Sequence, residues 1–292
     1  MKAQIVILFL RVMSIFPLWA IHSIAFVIGN LLFLLPSQVK ITTNTNLQLC
    51  FPEFNSKQIN MLLRKTLIEN CKTALEFGYI WFRDPQVLLT AIVSSEGEET
   101  VIKDFELGNG LIFAAPHLGQ WEIAGIYLAK KLPCCYMYKK PQIEQLDSIM
   151  VKARQRNGAK LVPADKSGVR QLFQYLKQGM ALGILPDQDP SAGEGVFAPF
   201  FGVPAKTMIL LSRFAAKTNA PVFVTHVERL PFARGFKIHF NKIEGNIHSK
   251  DLVESTSELN KAIEKEVTKI PAQYQWTYKR FKSRPEGEQK VY

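Results

Sequence analysis

Short runs rich in apolar residues alternate with stretches of helical periodicity along most of this chain. The runs are typical of buried strands and occupy residues 111–115, 134–138, 181–186, 221–227 and 236–240. Apolar residues spaced three and four apart predict helices over residues 56–82, 122–132, 143–155 and 169–177. A capping box at residues 255–258 predicts a further helix that ends before Pro271. This alternation predicts an α/β domain whose central sheet is covered by helices on both faces.

The longest apolar stretch lies near the N-terminus. Residues 12–39 contain no Asp, Glu, Lys or Arg over 28 positions, and about 20 residues cross a bilayer core as a helix. We therefore expect an N-terminal membrane helix, with residues 1–40 as an anchor and residues 41–292 as one α/β domain. A membrane-embedded hairpin or interfacial helix is an alternative, as is a buried or cleaved segment.

The composition excludes several classes of protein without identifying one. With 47% hydrophobic and 21% charged residues over 292 positions, the chain is neither disordered nor collagen-like nor a small disulfide scaffold. The four cysteines, Cys50, Cys71, Cys134 and Cys135, form no C-x-x-C pair, which favours buried thiols in a reducing compartment. The net charge of +11 indicates an anionic partner: nucleic acid, a membrane surface or an acidic protein.

The segment that most clearly indicates catalysis follows the apolar run at 111–115. It reads Pro-His-Leu-Gly-Gln-Trp-Glu, so His117 and Glu122 are five residues apart. On one helix they would point about 140° apart, so they meet only if His117 lies in a loop and Glu122 in the first helical turn. A carboxylate on one imidazole nitrogen makes the other nitrogen a competent general base. Since the loop holds no Ser or Cys, direct activation of an acceptor hydroxyl fits better than covalent catalysis.

A structural role and a metal-binding role are the alternatives to catalysis for this histidine. A lone His after a strand is commonly a structural hydrogen-bonding group, and a His and a Glu can both bind metal. The chain contains no H-E-x-x-H motif or Cys/His cluster to complete a metal site, and we predict none.

The order of motifs resembles that of the late acyltransferases of bacterial lipid A biosynthesis, of the lauroyl and myristoyl transferase type. His117-x4-Glu122 after an apolar strand is similar to the H-x4-D/E motif of glycerolipid and lipid A acyltransferases. Residues 138–141 (YKKP) are similar to the family's Tyr-Arg-Pro block, and residues 186–190 (PDQDP) with 196–202 (VFAPFFG) to its P-D-x-D and V-F-x-P-F-F-G blocks. Residues 273–276 (QYQW) and 280–287 (RFKSRPEG) resemble its C-terminal block.

The resemblance implies an α/β fold with a mixed central sheet flanked by helices, as in glycerolipid acyltransferases. It implies transfer of a fatty acyl chain from acyl carrier protein to the hydroxyl of a 3-hydroxyacyl chain on a lipid A precursor, without any cofactor beyond that carrier-linked donor. We expect His117 to take the hydroxyl proton while Glu122 orients the imidazole. The implied partners are acyl carrier protein, the anionic lipid and the membrane, on the cytoplasmic side of the bacterial inner membrane.

Charged residues around these motifs are candidate substrate ligands. Residues 139–177 hold nine Lys or Arg but only three acidic residues. Lys139, Lys140, Arg154 and Arg156 are candidates for contacts with lipid phosphates or the acidic carrier, and so is Arg280 of the C-terminal block. A solvated helix face or tail is the alternative for each.

Two carboxylates, Asp187 and Asp189, follow the predicted strand at 181–186. The resemblance places this block at the active site, where we expect them to order a basic residue or the sugar without a metal ion. Pro-Asp-x-Asp-Pro is also ordinary turn chemistry, whatever the function.

Two other functions fit part of the pattern. A phospholipid or glycolipid acyltransferase would use the same H-x4-E site on another acceptor, and a non-catalytic membrane protein that binds anionic lipid would use the charge alone. Nucleic acid is a remote partner, because the sequence contains no helix-turn-helix, zinc-finger or RNP motif.

Overall fold

Nine strands form a seven-stranded central sheet and a separate hairpin in the computed structural model, which describes residues 2–141 and 143–292. The strands are β1 (Ile92–Glu96), β2 (Leu111–Ala114), β3 (Cys134–Tyr138), β4 (Lys160–Pro163), β5 (Ala181–Ile184), β6 (Gly195–Phe200), β7 (Val203–Met208), β8 (Val222–Arg229) and β9 (Phe236–Lys242). The central sheet has the order β1-β9-β8-β2-β5-β3-β4, and β6 pairs with β7 outside it. All neighbours in the central sheet are parallel except β8 and β9, so the mixed sheet is confirmed.

Helices cover both faces of this sheet. They are α1 (Lys2–Ile15), α2 (Leu18–Leu34), α3 (Gln38–Cys50), α4 (Ser56–Phe82), α5 (Pro85–Thr90), α6 (Glu98–Glu106), α7 (Trp121–Lys131), α8 (Asp147–Gln155), α9 (Lys166–Lys177), α10 (Leu210–Thr218) and α11 (Leu252–Lys269). Side chains along a strand point to alternate faces, and β2 accordingly divides the core in two. Ile112 and Ala114 pack on the side of α9, α10 and α11, whereas Leu111 and Phe113 pack on the side of α1, α2 and α7.

Most of the predicted elements occur where the apolar pattern places them. The helix α4 has the predicted bounds, and the five predicted strands correspond to β2, β3, β5, β8 and β9. The capping-box prediction is wrong, because α11 begins at Leu252 and the Asp251 side chain caps it. The hydroxyl of Ser255, inside that helix, instead donates a hydrogen bond to the carbonyl of Ile247.

The predicted N-terminal membrane helix is not confirmed, because separate helices divide the uncharged stretch of residues 12–39. Pro17 lies in an extended conformation (φ −65°, ψ 157°) and separates α1 from α2, because proline interrupts the helical hydrogen bonds. Within the described part of the chain, no single helix is long and apolar enough to cross a membrane. The helices α2 and α3 meet those criteria only as a pair, and this pair bends by 82°.

A buried cluster of charges joins the N-terminal helices to the sheet. The guanidinium group of Arg229, at the end of β8, is 3% exposed and donates to Glu76 (2.7 and 2.5 Å) and to Glu69 (2.8 Å) of α4. Glu76 also contacts the imidazole of His22 in α2 at 2.6 Å and accepts a bond from the Gln120 amide at 2.9 Å. Burial alone would raise the pKa of Glu76, but the charge and hydrogen bonds of Arg229 outweigh it and lower that pKa to about 2.

We predict that Arg229→Met lowers the free energy of unfolding by about 3–5 kcal/mol, because it leaves the Glu76 carboxylate buried without its main partner. Urea unfolding of the detergent-solubilised protein measures the change. Adding Glu76→Gln to this variant should restore part of the loss, since it removes the uncompensated charge. The control Lys237→Met breaks a pair with the exposed Glu96 and should cost less than about 1 kcal/mol. Equal small losses in both single variants would contradict this account.

Candidate active site

The loop between β2 and α7 is held on three sides by backbone hydrogen bonds. The amide of Ala115 donates to Ile184 at the end of β5 (2.9 Å), the amide of Gly119 to Gln273 of the C-terminal segment (3.0 Å), and the amide of Gln120 to Val227 in β8 (2.9 Å). Gly119 lies between them with φ +65°, and a Cβ there would come within 1.8 Å of the Val227 carbonyl oxygen. Only glycine fits this position, and the loop therefore has one well-defined course past the ends of β5 and β8.

His117 lies at the centre of this loop and is bound by Asp187. Its Nδ1 is 2.8 Å from Asp187 Oδ1, and its backbone amide donates to Asp187 Oδ2 at 2.8 Å. The strands β2 and β5 are parallel neighbours, so the residues after them meet at one edge of the sheet. Burial would raise the pKa of Asp187, but the His117 charge and hydrogen bonds lower it overall. Asp187 is therefore an ionised acceptor for the proton on Nδ1.

The other imidazole nitrogen faces a carboxamide pair. The Nε2 atom of Gln188 lies 3.2 Å from Nε2 of His117 and also donates to the side-chain oxygen of Gln275 at 3.2 Å. The backbone amide of Gln275 in turn donates to the carbonyl of His117 (3.0 Å). Since an amide nitrogen only donates, this arrangement assigns the lone pair to Nε2 and the proton to Nδ1. The imidazole has the tautomer that a general base requires.

The predicted contact between Glu122 and His117 is corrected by this geometry. Glu122 does lie in the first turn of α7, but its carboxylate accepts two hydrogen bonds from Arg154 of α8, one of them from Nε at 3.1 Å. Burial would lower the pKa of Arg154, but the neighbouring Glu122 raises it overall, so the guanidinium is charged. Asp187 replaces Glu122 at the imidazole because it enters from the adjacent strand, whereas the start of α7 directs Glu122 to the guanidinium. The Pro-Asp-x-Asp block after a buried strand was the sequence signal that could have identified this pairing.

Two of the arginines predicted to bind substrate form hydrogen bonds with other parts of the protein. Arg156 donates to the carbonyl oxygens of Ile80 (2.8 Å) and Trp81 (3.0 Å) at the end of α4. Arg280 is 2% exposed, and its guanidinium donates to the Thr207 hydroxyl in β7 at 2.6 Å. Arg156 thus satisfies carbonyl groups at the end of α4, and Arg280 joins the C-terminal segment to the β6–β7 hairpin. These contacts account for both residues without a ligand.

The remaining predicted ligands lie in different surroundings. Lys139 and Lys140 are exposed directly after β3. The Asp189 carboxylate accepts a hydrogen bond from the Ser283 amide at 3.2 Å, while the Asp189 amide donates to the Tyr278 hydroxyl at 3.1 Å. Asp189 therefore ties the C-terminal segment to the site, and only Asp187 of the two carboxylates touches His117.

Two cavities lie on either side of Trp121, which lines both of them. One, of about 60 Å³, lies between α7 and the sheet and is mainly apolar, with Glu122 and Arg154 among its lining residues. The other, of about 250 Å³, is lined by His117 and extends to Leu32 of α2 and Val39 of α3. The Trp121 ring stands edge-on to the imidazole, with 4.6 Å between ring centroids. The imidazole of His117 therefore faces the second cavity, and Trp121 separates it from the first.

Other reactive groups near the site do not compete with this histidine. Cys71 lines the His117 cavity, but burial raises the pKa of its thiol to about 11, so it is protonated at neutral pH and a poor nucleophile. Within residues 2–141 and 143–292, no three His, Cys, Asp or Glu side chains are grouped so as to hold a metal ion.

The chain is similar to known proteins over most of its length. The profile of the bacterial lipid A biosynthesis acyltransferase family matches residues 2–283. The lipid A biosynthesis palmitoleoyltransferase of Escherichia coli (strain K12) is 26% identical over 252 residues, which is 85% of this chain and 80% of that protein. A lipid A biosynthesis acyltransferase of Haemophilus influenzae is 28% identical over 252 residues (84% and 76%). The lipid A biosynthesis lauroyltransferase of E. coli is 24% identical over 250 residues (83% and 78%).

The family profile covers the N-terminal helices, the His117 loop, the Asp187 block and most of the C-terminal segment. The relatives extend over more than three quarters of their own lengths. The similarity therefore covers most of the chain rather than one motif, and the chain belongs to the bacterial lipid A biosynthesis acyltransferase family.

Proposed function

We propose that this protein transfers a fatty acyl chain from acyl carrier protein to the hydroxyl of a 3-hydroxyacyl chain on a lipid A precursor. The observation that carries the proposal is the His117–Asp187 pair, which presents an unprotonated Nε2 to a cavity that reaches the apolar N-terminal helices. Family membership supports the reaction class and the acceptor. Relatives named for palmitoleoyl and lauroyl transfer support a fatty acyl donor.

The proposed reaction has two proton transfers, both through His117 Nε2. The acceptor hydroxyl takes the place of the Gln188 amide, gives its proton to Nε2 and forms a carbon–oxygen bond with the thioester carbonyl carbon. When the tetrahedral intermediate collapses, the carbon–sulfur bond breaks and the carrier's thiolate receives the proton from Nε2. Asp187 stabilises the imidazolium between these steps through Nδ1, as the carboxylate does in catalytic triads.

The Glu122–Arg154 pair has a separate role in this proposal. Glu122 uses two of the five N–H donors of Arg154, and both residues line the apolar cavity. The guanidinium thus places positive charge where the acyl chain enters that cavity. We assign it to the carbonyl oxygen of the thioester, which becomes negatively charged in the tetrahedral intermediate.

The basic stretch at residues 139–177 provides a docking surface for the acidic carrier protein. Seven of its nine basic side chains are exposed: Lys139, Lys140, Lys152, Lys160, Lys166, Arg170 and Lys177. The other two are Arg154 and Arg156, which bind Glu122 and the end of α4. Long-range attraction between this surface and an anionic carrier would raise the rate of encounter.

The N-terminal helices provide a surface for the membrane. Exposed apolar side chains are concentrated on α1, α2 and the start of α3, where they include Leu8, Ile15, Trp19, Leu34 and Ile41. Soluble monomers rarely expose a continuous apolar patch of this kind, and it reaches the residues that line the His117 cavity. We infer that these helices embed in the cytoplasmic face of the bacterial inner membrane and that the lipid acceptor enters from there.

His117→Ala should lower kcat by at least about a thousandfold and Asp187→Asn by about a hundred- to ten-thousandfold, because one removes the base and the other its partner. The assay is acyl transfer from acyl carrier protein to purified lipid A precursor, with lysophospholipid as a second acceptor. His248→Gln, at a histidine outside the site whose Nε2 lies 2.9 Å from the Ala220 carbonyl oxygen, is the control and should retain activity. Full activity of His117→Ala, or exclusive use of lysophospholipid, would refute the proposal.

Lys139→Glu/Lys140→Glu should raise KM for the acyl-carrier donor about tenfold at low salt, because it places negative charge on the docking surface. The effect should shrink as salt rises, since exposed charges are screened. Lys261→Glu/Lys265→Glu, at two exposed lysines of α11, is the control with the same change in charge. An equal rise in KM for both variants would show that net charge, not this surface, attracts the donor.

Trp19→Gln/Leu34→Gln should weaken sedimentation with vesicles of anionic phospholipid, because it removes two large apolar groups from the inferred membrane face. Transfer to vesicle-embedded acceptor should fall in parallel. Leu107→Gln, at a leucine that is equally exposed but lies after α6, serves as the control. Unchanged sedimentation of the double variant would place the membrane contact elsewhere.

A further inference from the structure

We propose that the turn between β8 and β9, residues 230–235, is a second membrane contact, in which the Phe232 ring inserts among the lipids. The inference rests on the proposed function, in that the exposed apolar side chains of α1 and α2 form the first contact. It assigns a membrane-binding role to a segment outside the N-terminal helices. Two contacts would hold the edge of the sheet that carries His117 against the bilayer.

Phe232 is the most exposed large apolar side chain in the described part of the chain. The structure leaves 95% of its surface open to solvent, although burial of a phenylalanine side chain is worth a factor of about ten to a hundred in an equilibrium constant. Pro231 beside it is exposed as well. A single exposed apolar residue is ordinary at a protein surface; the backbone beneath this one is not.

The backbone of the turn is strained at two consecutive residues. Phe232 has φ +59° and ψ +31°, and Ala233 has φ +56°. Both lie in the left-handed region, which is unfavourable for residues that carry a Cβ atom. Across residues 2–141 and 143–292, no other two consecutive non-glycine residues share this conformation. Such strain persists only where the surrounding structure imposes it, and it is concentrated at functional sites.

Hydrogen bonds at the base of the turn impose this conformation. The Gln273 side chain binds both the amide and the carbonyl of Arg229, each at 2.9 Å. The Leu230 amide donates to the Gly235 carbonyl at 2.9 Å and closes the turn. The Phe232 ring is therefore carried outward by a turn with a fixed base.

The turn projects from the edge of the sheet at which His117 lies. Strands β8 and β2 are parallel neighbours, so they end at the same edge, and the loop after β2 bonds to Val227, three residues before the turn begins. The Pro231–Ala233 segment contacts α2. Because α2 is one of the helices inferred to embed in the membrane, the bilayer is the nearest apolar partner for the ring.

The sheet order and the charge of the turn favour a membrane over the carrier protein as its partner. Strands β8 and β9 lie on one side of β2, whereas β3 and β4, beside the basic stretch at 139–177, lie on the other. Residues 230–235 contain no acidic residue. Arg234 is exposed, and its Nε atom donates to the Pro231 carbonyl at 3.2 Å. An aromatic ring with a cation beside it is typical of segments in the interface of an anionic bilayer.

The test is binding of the full-length protein to vesicles of phosphatidylethanolamine and phosphatidylglycerol, measured by sedimentation. Phe232→Asn should weaken binding about tenfold, because asparagine tolerates the left-handed conformation but lacks the ring. Phe232→Trp should retain binding, since tryptophan is also suited to the membrane interface. Leu107→Asn, at an exposed leucine after α6, is the control and should bind as the wild type does.

The role of the cation is measured on the same vesicles. Arg234→Gln should weaken binding about fivefold when phosphatidylglycerol is present and should have no effect on vesicles of phosphatidylcholine alone. Arg213→Gln, at an exposed arginine of α10, makes the same change in charge and should have no effect on either. Equal losses in both variants would show that net charge, not this turn, attracts the membrane.

The position of the ring is measured by fluorescence. Phe232→Trp in a Trp19→Phe background should shift its emission to shorter wavelength on vesicles and be quenched by lipids with brominated acyl chains. Trp19→Phe alone supplies the signal of the three remaining tryptophans, and Leu107→Trp in the same background should show neither change. Absence of both changes at position 232 in vesicle-bound protein would overturn the inference.

Failure of the proposed function gives a different result. A wild-type protein that transfers no acyl chain to lipid A precursor would refute the reaction, while the vesicle measurements, which need no turnover, still decide the role of Phe232. Equal vesicle binding by Phe232→Asn and wild type would overturn the turn contact and leave that of α1 and α2 in place. No binding of the wild type to any vesicle would overturn both. Unchanged vesicle binding with a raised KM for the acyl-carrier donor would identify the carrier as the partner and overturn the inference.

Discussion

The buried guanidinium of Arg229 is the constraint on which the relative placement of helices, sheet and catalytic loop depends. A charge removed from water is strongly destabilising unless partners compensate it closely, and here they come from separate parts of the chain. Glu69 and Glu76 belong to α4. His22 of α2 and Gln120 of the His117 loop both contact the Glu76 carboxylate. The cluster therefore ties the apolar N-terminal helices to the loop that carries the candidate base.

The site itself follows from the parallel pairing of β2 and β5. His117 and Asp187 each lie three residues after the end of their strand. Because the two strands are neighbours in the sheet, these residues meet although 70 positions separate them in the sequence. The Glu122 carboxylate, closer in sequence, binds Arg154 and forms a second charged pair beside the first. In the proposed mechanism one pair moves the proton and the other stabilises negative charge, so each carboxylate has a distinct partner and task.

The two cavities give the proposed substrates separate approaches. The His117 cavity reaches the helices with the exposed apolar side chains, whereas the apolar cavity lies under α7 and beside α8, within the basic stretch. A lipid acceptor and a carrier-bound donor would thus arrive from different directions and meet at Trp121. This division agrees with a reaction between a membrane-embedded molecule and one delivered by a soluble protein.

Local pattern predicted much of this fold from the sequence alone: the α/β class, the helix at residues 56–82 and five of the seven strands of the central sheet. The motifs also identified the His117 and Asp187 blocks as candidates for the site. The pattern missed β1, β4 and the hairpin strands β6 and β7. The strand β1 is short and largely exposed, so it has no run of buried residues. The pattern joined α1 to α2 across Pro17, because apolar composition does not register a break in hydrogen bonding. Only the tertiary structure decided that Asp187 rather than Glu122 binds His117 and that Arg156 and Arg280 bind backbone and hydroxyl groups. These partners depend on which strand ends are neighbours in the sheet, and the order of strands arises from packing among distant segments.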